Sequence, residues 1–357
     1  MNPPFKSLNK FLFLRSLYIY KIIVLSYNVI VIVAVRGVSS IRKISVFTPI
    51  ILMAALGLPF LFYHNRHNYT STFFSLDTVV TVKSDKNITE PIKNEITHLD
   101  TVFDCYNENS EVSALNRKKS MICSPELIGF ISQTEELCRT FGYGVDISAG
   151  NLTKLWHNSL ENSLIPDAEQ ISDLLETNGQ KNIVISGNEV TLRNGTSTDP
   201  GAAAKGYALD RIKDICVSSG SEYTVVSTGS STLLYSSDPD HVFTCGIKAD
   251  RERIAGTAEV TGCFVSTSGD YERCTEINGK SYHHILDMKT GYPSDTGLSS
   301  VTVFCDSGIK SDFLSTLIFT EGTEGIGKYL DSDDFKIVAV DKKGNIIKSD
   351  SLIFKEQ

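Results

Sequence analysis

"TDPGAAAKGYALDRIKDICVSSGSEYTVVSTGSSTLLYS", residues 198–236, decides the fold class. Asp199, Pro200 and Gly201 make a turn, and the small residues after them open a helix that Gly220 stops. Two strand-like runs follow, 223–229 and 231–236, with no helix between them. Upstream, Ile92, Ile96, Leu99 and Phe103 fall at helical spacing. A second helix fills 124–142, with Ser124 as N-cap, Pro125 in the first turn and Gly142 as the stop. A third covers 167–179, and 182–195 reads as a hairpin around a Gly-Asn turn. A short strand occupies 78–84. Downstream the strands continue at 242–249, 258–267, 281–288, 298–305 and 336–350, with one more helix beginning near Ser311. Strands and helices without a βαβ rhythm predict an α+β fold, not a doubly wound sheet.

Charge divides the 357 residues unevenly. Residues 1–63 carry seven Lys or Arg and no Asp or Glu, so the remainder holds 27 basic and 42 acidic side chains, a net of −15. Nucleic acid is bound through clustered Lys and Arg, so it is excluded as a partner. A field of that sign suits cations such as Mg²⁺, and hinders an anionic ligand unless a metal or local donors compensate.

"ISVFTPIILMAALGLPFLFY", residues 44–63, is uncharged and long enough to cross a bilayer core of roughly 30 Å. Arg36, Arg42 and Lys43 precede it, which predicts an inside N-terminus and a C-terminal part outside the cytoplasm. The apolar stretch 22–35 is too short for a comfortable span. The expected organisation is a basic segment 1–43, a transmembrane helix or signal anchor 44–63, a polar linker 64–72 and a catalytic domain 73–357. Cleavage of the apolar segment as a long signal peptide is the alternative. All eight cysteines lie after residue 63, none in a C-x-x-C pair, mostly in apolar contexts that suit buried free thiols.

Four segments combine Gly, Asp and hydroxyls: "GYGVDISAG" (142–150), "TDPGAAAKGYALD" (198–210), "STSGDYER" (266–273) and the run from "SYHHILDMKTGYP" (281–293) to "SDFLSTLIF" (311–319). The start of the helix after Gly201 offers free N–H groups to an anion, with Lys205 close by. Asp312 and Thr316 are four apart and share a helix face, a plausible hard-metal pair. His283 and His284 alternate, so they face opposite sides of a strand. Singly, each segment also reads as an ordinary helix cap or turn.

Together, in order, they carry a resemblance. "DCYNENSEVSALN", "DISAGNLTKLW", "DPGAAAKGYALD", "STSGDYER", "YHHILDMKTGYP" and "SDFLSTLIFTEG" resemble six motifs of the ApbE family, the FAD:protein FMN transferases, over about three quarters of the chain. The resemblance implies an ApbE-like, T-fold-like mixed sheet with packed helices. It implies that FAD is split with Mg²⁺, that FMN is joined to a Ser or Thr hydroxyl of a target protein, and that AMP leaves. Position by position, FAD contacts would be Leu76, Tyr106, Gly144, Val145, Asp146, Asp199, Lys205 and Ile285. Asp312 and Thr316 would hold Mg²⁺, with backbone oxygens of Ala202 and Ser315. His284 and Asp312 would be catalytic.

The chain departs from the pattern at Leu76 (Met in relatives), Gly201-Ala202 (a double Gly), Ser315 (Asp in some members), "GSS" at 229–231 and Met288 (Pro). Loss of a carboxylate at Ser315 would lower metal affinity. The acceptor motif D-x-x-[ST]-G-A-T is absent, "DRERIAGTA" being a faint echo, so the expected acceptor is a separate flavoprotein subunit of a membrane redox complex. Two other readings stay open: a Mg²⁺-dependent FAD pyrophosphatase and a non-catalytic, membrane-anchored flavin-binding protein.

Overall fold

The structure, a computed structural model, describes residues 68–357 and the backbone of two short strands before them. Those two, β1 (Leu17–Ile23) and β2 (Ile30–Arg36), pair antiparallel, with Leu17 opposite Arg36. The apolar stretch 44–63 lies outside the described residues. Among the described residues no helix is long and apolar enough to cross a membrane.

The unit from His67 to Gln357 is built on one eight-stranded sheet. Its strands are β3 (Tyr69–Ser75), β4 (Thr78–Ser84), β8 (Tyr223–Thr228), β9 (Ser231–Ser236), β12 (Cys263–Gly269), β15 (Leu298–Cys305), β16 (Phe335–Asp341) and β17 (Ile346–Lys348). They lie in the order β17-β16-β15-β12-β9-β8-β4-β3. The α+β class holds, but every named strand pair among the described residues is antiparallel, so the sheet is not mixed. Three of its neighbouring pairs (β3–β4, β8–β9 and β16–β17) are hairpins, which short connections make possible only between antiparallel strands. Smaller sheets join β5 (Ser120–Ile122), β6 (Ile183–Ser186) and β7 (Glu189–Leu192), β10 (Phe243–Lys248), β11 (Ile254–Val260) and β18 (Ile353–Glu356), and β13 (Cys274–Ile277) with β14 (Lys280–His283).

Alternating side chains load both faces of the large sheet. Val303, Ile337 and Ala339 face the larger core, which contains Phe313, Leu317 and Phe319 of a helix. Phe304, Val338 and Val265 face the other way, against Phe243, Ile247 and Ala258 of the β10–β11 layer. The helices are α1 (Thr89–Phe103), α2 (Glu111–Lys118), α3 (Pro125–Phe141), α4 (Gly150–Glu161), α5 (Ala168–Thr177), α6 (Ala204–Ser218) and α7 (Gly308–Gly325). Helix α3 starts as expected: the Ser124 hydroxyl accepts from Leu127 N, and Gly142 ends it at φ +118°.

Several sequence expectations change. Residues 69–72 are sheet, not linker, pairing Tyr69 with Ser84 and Thr72 with Thr81. The run 258–267 is not one strand: it crosses from β11 to β12 at Thr261-Gly262, leaving one sheet for another. The strand read at 281–288 stops at His283. Helix α7 begins at Gly308, not near Ser311, because the Asp210 carboxylate accepts from Gly308 N (2.7 Å) and Ile309 N (2.8 Å). Helices α2 and α4 went unread. Helix α2 is short, and α4 starts without a side-chain cap.

Asp210 thereby satisfies two first-turn amides of α7, which have no intrahelical partner. Asp210→Ala is expected to lower the unfolding free energy by about 1–3 kcal/mol, the cost of stranding buried donors. Urea denaturation checks this, and an unchanged midpoint would contradict the cap.

Candidate functional site

Two glycines set the geometry. Helices α6 and α7 meet where a Cβ on Gly206 would lie 2.1 Å from the Gly308 carbonyl oxygen, and one on Gly308 would lie 2.2 Å from that of Gly206. This contact brings Asp312, one turn into α7, against the start of α6. Gly206 N donates to Asp312 Oδ2 (3.0 Å), and Ser231 Oγ, at the start of β9, donates to Oδ1 (2.9 Å). In an uninterrupted helix that amide would go to the Ala202 carbonyl; Ala202 instead sits half-buried in the turn before α6. Asp312 is only 4% exposed, and its nearest cation, Lys205 Nζ, stands 4.0 Å from Oδ2.

A cluster of hydroxyls adjoins the Asp312 backbone. Ser268 Oγ lies 3.0 Å from Thr316 Oγ1 and 2.9 Å from Ser315 Oγ. Ser315 Oγ is buried and donates to the Asp312 carbonyl (2.9 Å). One carboxylate with hydroxyl and carbonyl oxygens is a donor set for a hard cation that keeps several waters, such as Mg²⁺, so the residues fit that ion. They do not fit zinc: among the described residues no group of three or more His, Cys, Asp or Glu side chains could hold a metal.

His284 follows β14; the residue keeps solvent access, while its imidazole is crowded by neighbouring protein atoms. Its Nδ1 lies 3.3 Å from the Glu272 carbonyl, which can only accept, so Nδ1 carries the proton and Nε2 keeps its lone pair. The protein packed around the ring, then the positive charges of Arg273 and Lys205, push its pKa below the ordinary 6.5. Burial raises the Glu272 carboxyl, while Lys205 opposes the shift. Lys205 is thus the link between His284, Glu272 and Asp312.

A second group lies on the loops beside α4. Asp199 accepts from Gly201 N (2.8 Å) and from Thr153 Oγ1 (2.6 Å), and its N bonds the Ile147 carbonyl. Tyr106 is 43% exposed and its ring lies 4.4 Å from that of His157, centroid to centroid. Burial, then the Asp199 charge, raises the Tyr106 phenol, and Arg273 opposes this. Asp146 is half-buried, and desolvation raises its carboxyl; it accepts from Ser148 N (2.8 Å). Gly144 has no room for a side chain: a Cβ would lie 2.7 Å from Leu317 Cδ1.

Val145 and Ile285 are buried in the core, so what they can offer a ligand is backbone or an aliphatic edge. Leu76 occupies the two-residue β3–β4 turn with Asp77, both at positive φ (52° and 53°). Holding a Leu there costs backbone strain. The Asp100 carboxylate accepts from Leu76 N at 3.2 Å and from Ser75 Oγ, and so fixes the turn.

The structure therefore joins Asp312, Thr316, Ser315, Lys205 and His284 into one neighbourhood, and Tyr106, Asp199 and Asp146 into the adjoining one. Ser268, Glu272 and Arg273 lie in the candidate segment 266–273 without a role named for each, and Ser231 lies outside the four candidate segments. "STSGDYER" had drawn notice for its hydroxyls, but nothing local in "GSS" signals that Ser231 meets a residue 81 positions away. His283, as expected, faces the opposite side from His284 and is buried. All eight cysteines are free thiols, four buried and four half-buried.

The ApbE family profile matches residues 75–340. An FAD:protein FMN transferase from Klebsiella pneumoniae (strain 342) is 32% identical over 211 residues, covering 57% of this chain and 65% of that protein, so the chain spans just under two thirds of that relative's length. One from Treponema pallidum (strain Nichols) is 25% identical over 256 residues, covering 62% of this chain and 68% of its own. The crystal structure of an ApbE protein from Thermotoga maritima superposes with a TM-score of 0.74 at 27% identity, over 80% of this chain and 98% of that one. A flavin transferase ApbE from Vibrio cholerae, 19% identical with a TM-score of 0.67 over 79% of this chain and 96% of that one, shares the fold. The six motifs, the fold and the profile agree, and the chain belongs to the ApbE family.

Proposed function

We propose that the protein transfers FMN from FAD to a Ser or Thr hydroxyl of a separate acceptor protein, releasing AMP. The observation that carries this reading is the buried Asp312 carboxylate. It is held by Gly206 N and Ser231 Oγ and lies 4.0 Å from Lys205, whose charge also acts on His284. The names of the Klebsiella and Treponema relatives support the same activity.

In this reading FAD lies along the cleft edge formed by Leu76, Tyr106, Gly144, Val145, Asp146, Asp199 and Ile285. Asp312 and Thr316 would hold Mg²⁺, with the Ala202 and Ser315 backbone oxygens. That ion would spread the pyrophosphate charge as the P–O bond breaks. Lys205 supplies a further positive charge at the same place. The acceptor hydroxyl oxygen bonds the FMN-side phosphorus, its proton passes to His284 Nε2, and the electron pair of the broken P–O bond leaves with AMP. The acceptor is a flavoprotein subunit of a membrane redox complex with a D-x-x-[ST]-G-A-T segment. The 44–63 stretch would anchor the enzyme by a single span, with the catalytic unit outside the cytoplasm.

The test is incubation of the protein with FAD and Mg²⁺, with and without such an acceptor. AMP is followed by chromatography and the FMN adduct by mass spectrometry. AMP with free FMN and no adduct would favour the pyrophosphatase. Tight FAD binding without either product would leave only a flavin-binding protein.

One consequence is a pH profile. A His with lowered pKa stays neutral as pH falls through 6.5 and loses its base form only further down. The rate kcat/KM is expected to be flat between pH 7.5 and about 6, with its acid limb below the ordinary His range. An inflection at about 6.5 would show that His284 is not held as described.

A further inference from the structure

Beside the exposed His284 stands a second imidazole, His283, which the proposed reaction does not use. It is 5% exposed, ends β14, and meets the Phe319 ring edge-on at 5.7 Å. Both of its nitrogens are occupied. Nε2 lies 2.8 Å from the Ser294 carbonyl, and Ile285 N lies 3.3 Å from Nδ1. A carbonyl only accepts and an amide N–H only donates, so the proton must be on Nε2 and Nδ1 must be bare. One neutral tautomer satisfies the site.

These bonds close a small ring of chain. Ile285 N donates to His283 Nδ1, Ser294 N donates to the Ile285 carbonyl at 2.9 Å, and His283 Nε2 donates to the Ser294 carbonyl. The peptide held in the middle is that of His284. Loop 285–294 is itself seated: Thr296 Oγ1 donates to the Phe319 carbonyl, and Thr296 O accepts from Thr323 N at the Gly322 kink of α7.

We infer that His283 is a positioning residue: its neutral Nε2–H tautomer splints the chain on both sides of His284 and so holds the His284 ring against the Glu272 carbonyl. This inference rests on the function proposed above for the role of His284, but the splint itself is a statement about hydrogen bonds. A second proton on His283 would point an N–H at the Ile285 N–H and break the ring of bonds. The charged groups facing the imidazole are Asp270 and Asp295, which favour that proton, and Lys342, which opposes it. Burial outweighs them and lowers the pKa.

The test begins with ¹⁵N-edited imidazole NMR of the whole protein at pH 7. His283 is expected to show a protonated Nε2 and a bare Nδ1. A doubly protonated ring, or a proton on Nδ1, overturns the inference without any assay. His283→Leu, which keeps apolar volume against Phe319, is expected to lower kcat about 10–100-fold, the scale of a misplaced catalytic group. It should also move the His284 titration up toward 6.5. His283→Asn, whose Oδ1 can accept from Ile285 N but which is too short to reach the Ser294 carbonyl, is expected to recover part of the rate. An unchanged kcat with an unmoved His284 titration overturns the inference, as does a loss that Asn fails to recover. If His283→Leu does not fold, the wild-type tautomer and the Asn variant still decide. If the wild type neither releases AMP nor forms an adduct, the proposed function fails, while the tautomer and the His284 titration still test the splint.

Discussion

Asp312→Asn is expected to abolish AMP release and acceptor labelling together, by about a thousandfold or more, while leaving the fold intact. The two halves of that expectation have separate reasons. Asn has the same shape. Its Oδ1 can accept from Gly206 N, and its amide can donate to Ser231 Oγ, which is able to accept, so both partners stay satisfied. What disappears is the one carboxylate charge in the donor set. Mutational losses of a single preorganised electrostatic group run to about 10²–10³-fold, and a lost metal carboxylate adds to that. The measurement is AMP formation and adduct mass at saturating FAD and Mg²⁺, with thermal unfolding as the control. Activity above about a tenth of wild type would remove Asp312 from the centre of the reaction. Asp312→Ala is the less clean variant, because it strands a buried amide and a hydroxyl at about 1–3 kcal/mol.

Gly206→Ala is expected to be severely damaging for a single added methyl. The added Cβ would lie 2.1 Å from the Gly308 oxygen, 2.5 Å from its carbonyl carbon and 2.7 Å from Asp312 Cβ. Two of those are backbone atoms on a helix pinned by Asp210, so no side chain can swing aside. Overpacking costs about 1–3 kcal/mol when neighbours can adjust, and more when they cannot, so a loss of about 3 kcal/mol or more is expected. Activity should fall further than stability, because separating α6 from α7 pulls Gly206 N away from Asp312. Gly129→Ala is the control: in the middle of α3 its Cβ meets only Tyr207 Oη at 3.6 Å, an ordinary contact. That change should stabilise by about 0.5–1 kcal/mol through helix propensity. Guanidinium denaturation compares the pair, and equal midpoints would mean that the α6–α7 crossing is not as close as described.

Asp312 and Gly206 also show where local reading stops. Helical spacing placed Asp312 and Thr316 on one face, and a turn followed by small residues announced the start of α6. Neither pattern says that α6 and α7 touch, since period and capping report burial and chain ends, not partners. The motif order was enough for the family, because it survives in the chain itself. The segments 142–150, 198–210 and 266–273 were legible as candidate sites for the same reason.

By itself, then, the sequence determined the α+β class, most helix and strand positions, the opposite facing of His283 and His284, and membership of the family. These follow from periodicity, turn residues and motif order, all properties of neighbours along the chain. Only the tertiary structure decided the antiparallel sense of the sheet, the passage of the chain between sheets at Thr261-Gly262, and the strand at 69–72. It alone brought Ser231 and Gly206 to Asp312, across 81 and 106 residues, and Asp100 to the strained Leu76 turn. A hydrogen bond to a buried carboxylate is worth making from any distance along the chain, because leaving that group unpaired inside the protein costs more than the loop that closes it.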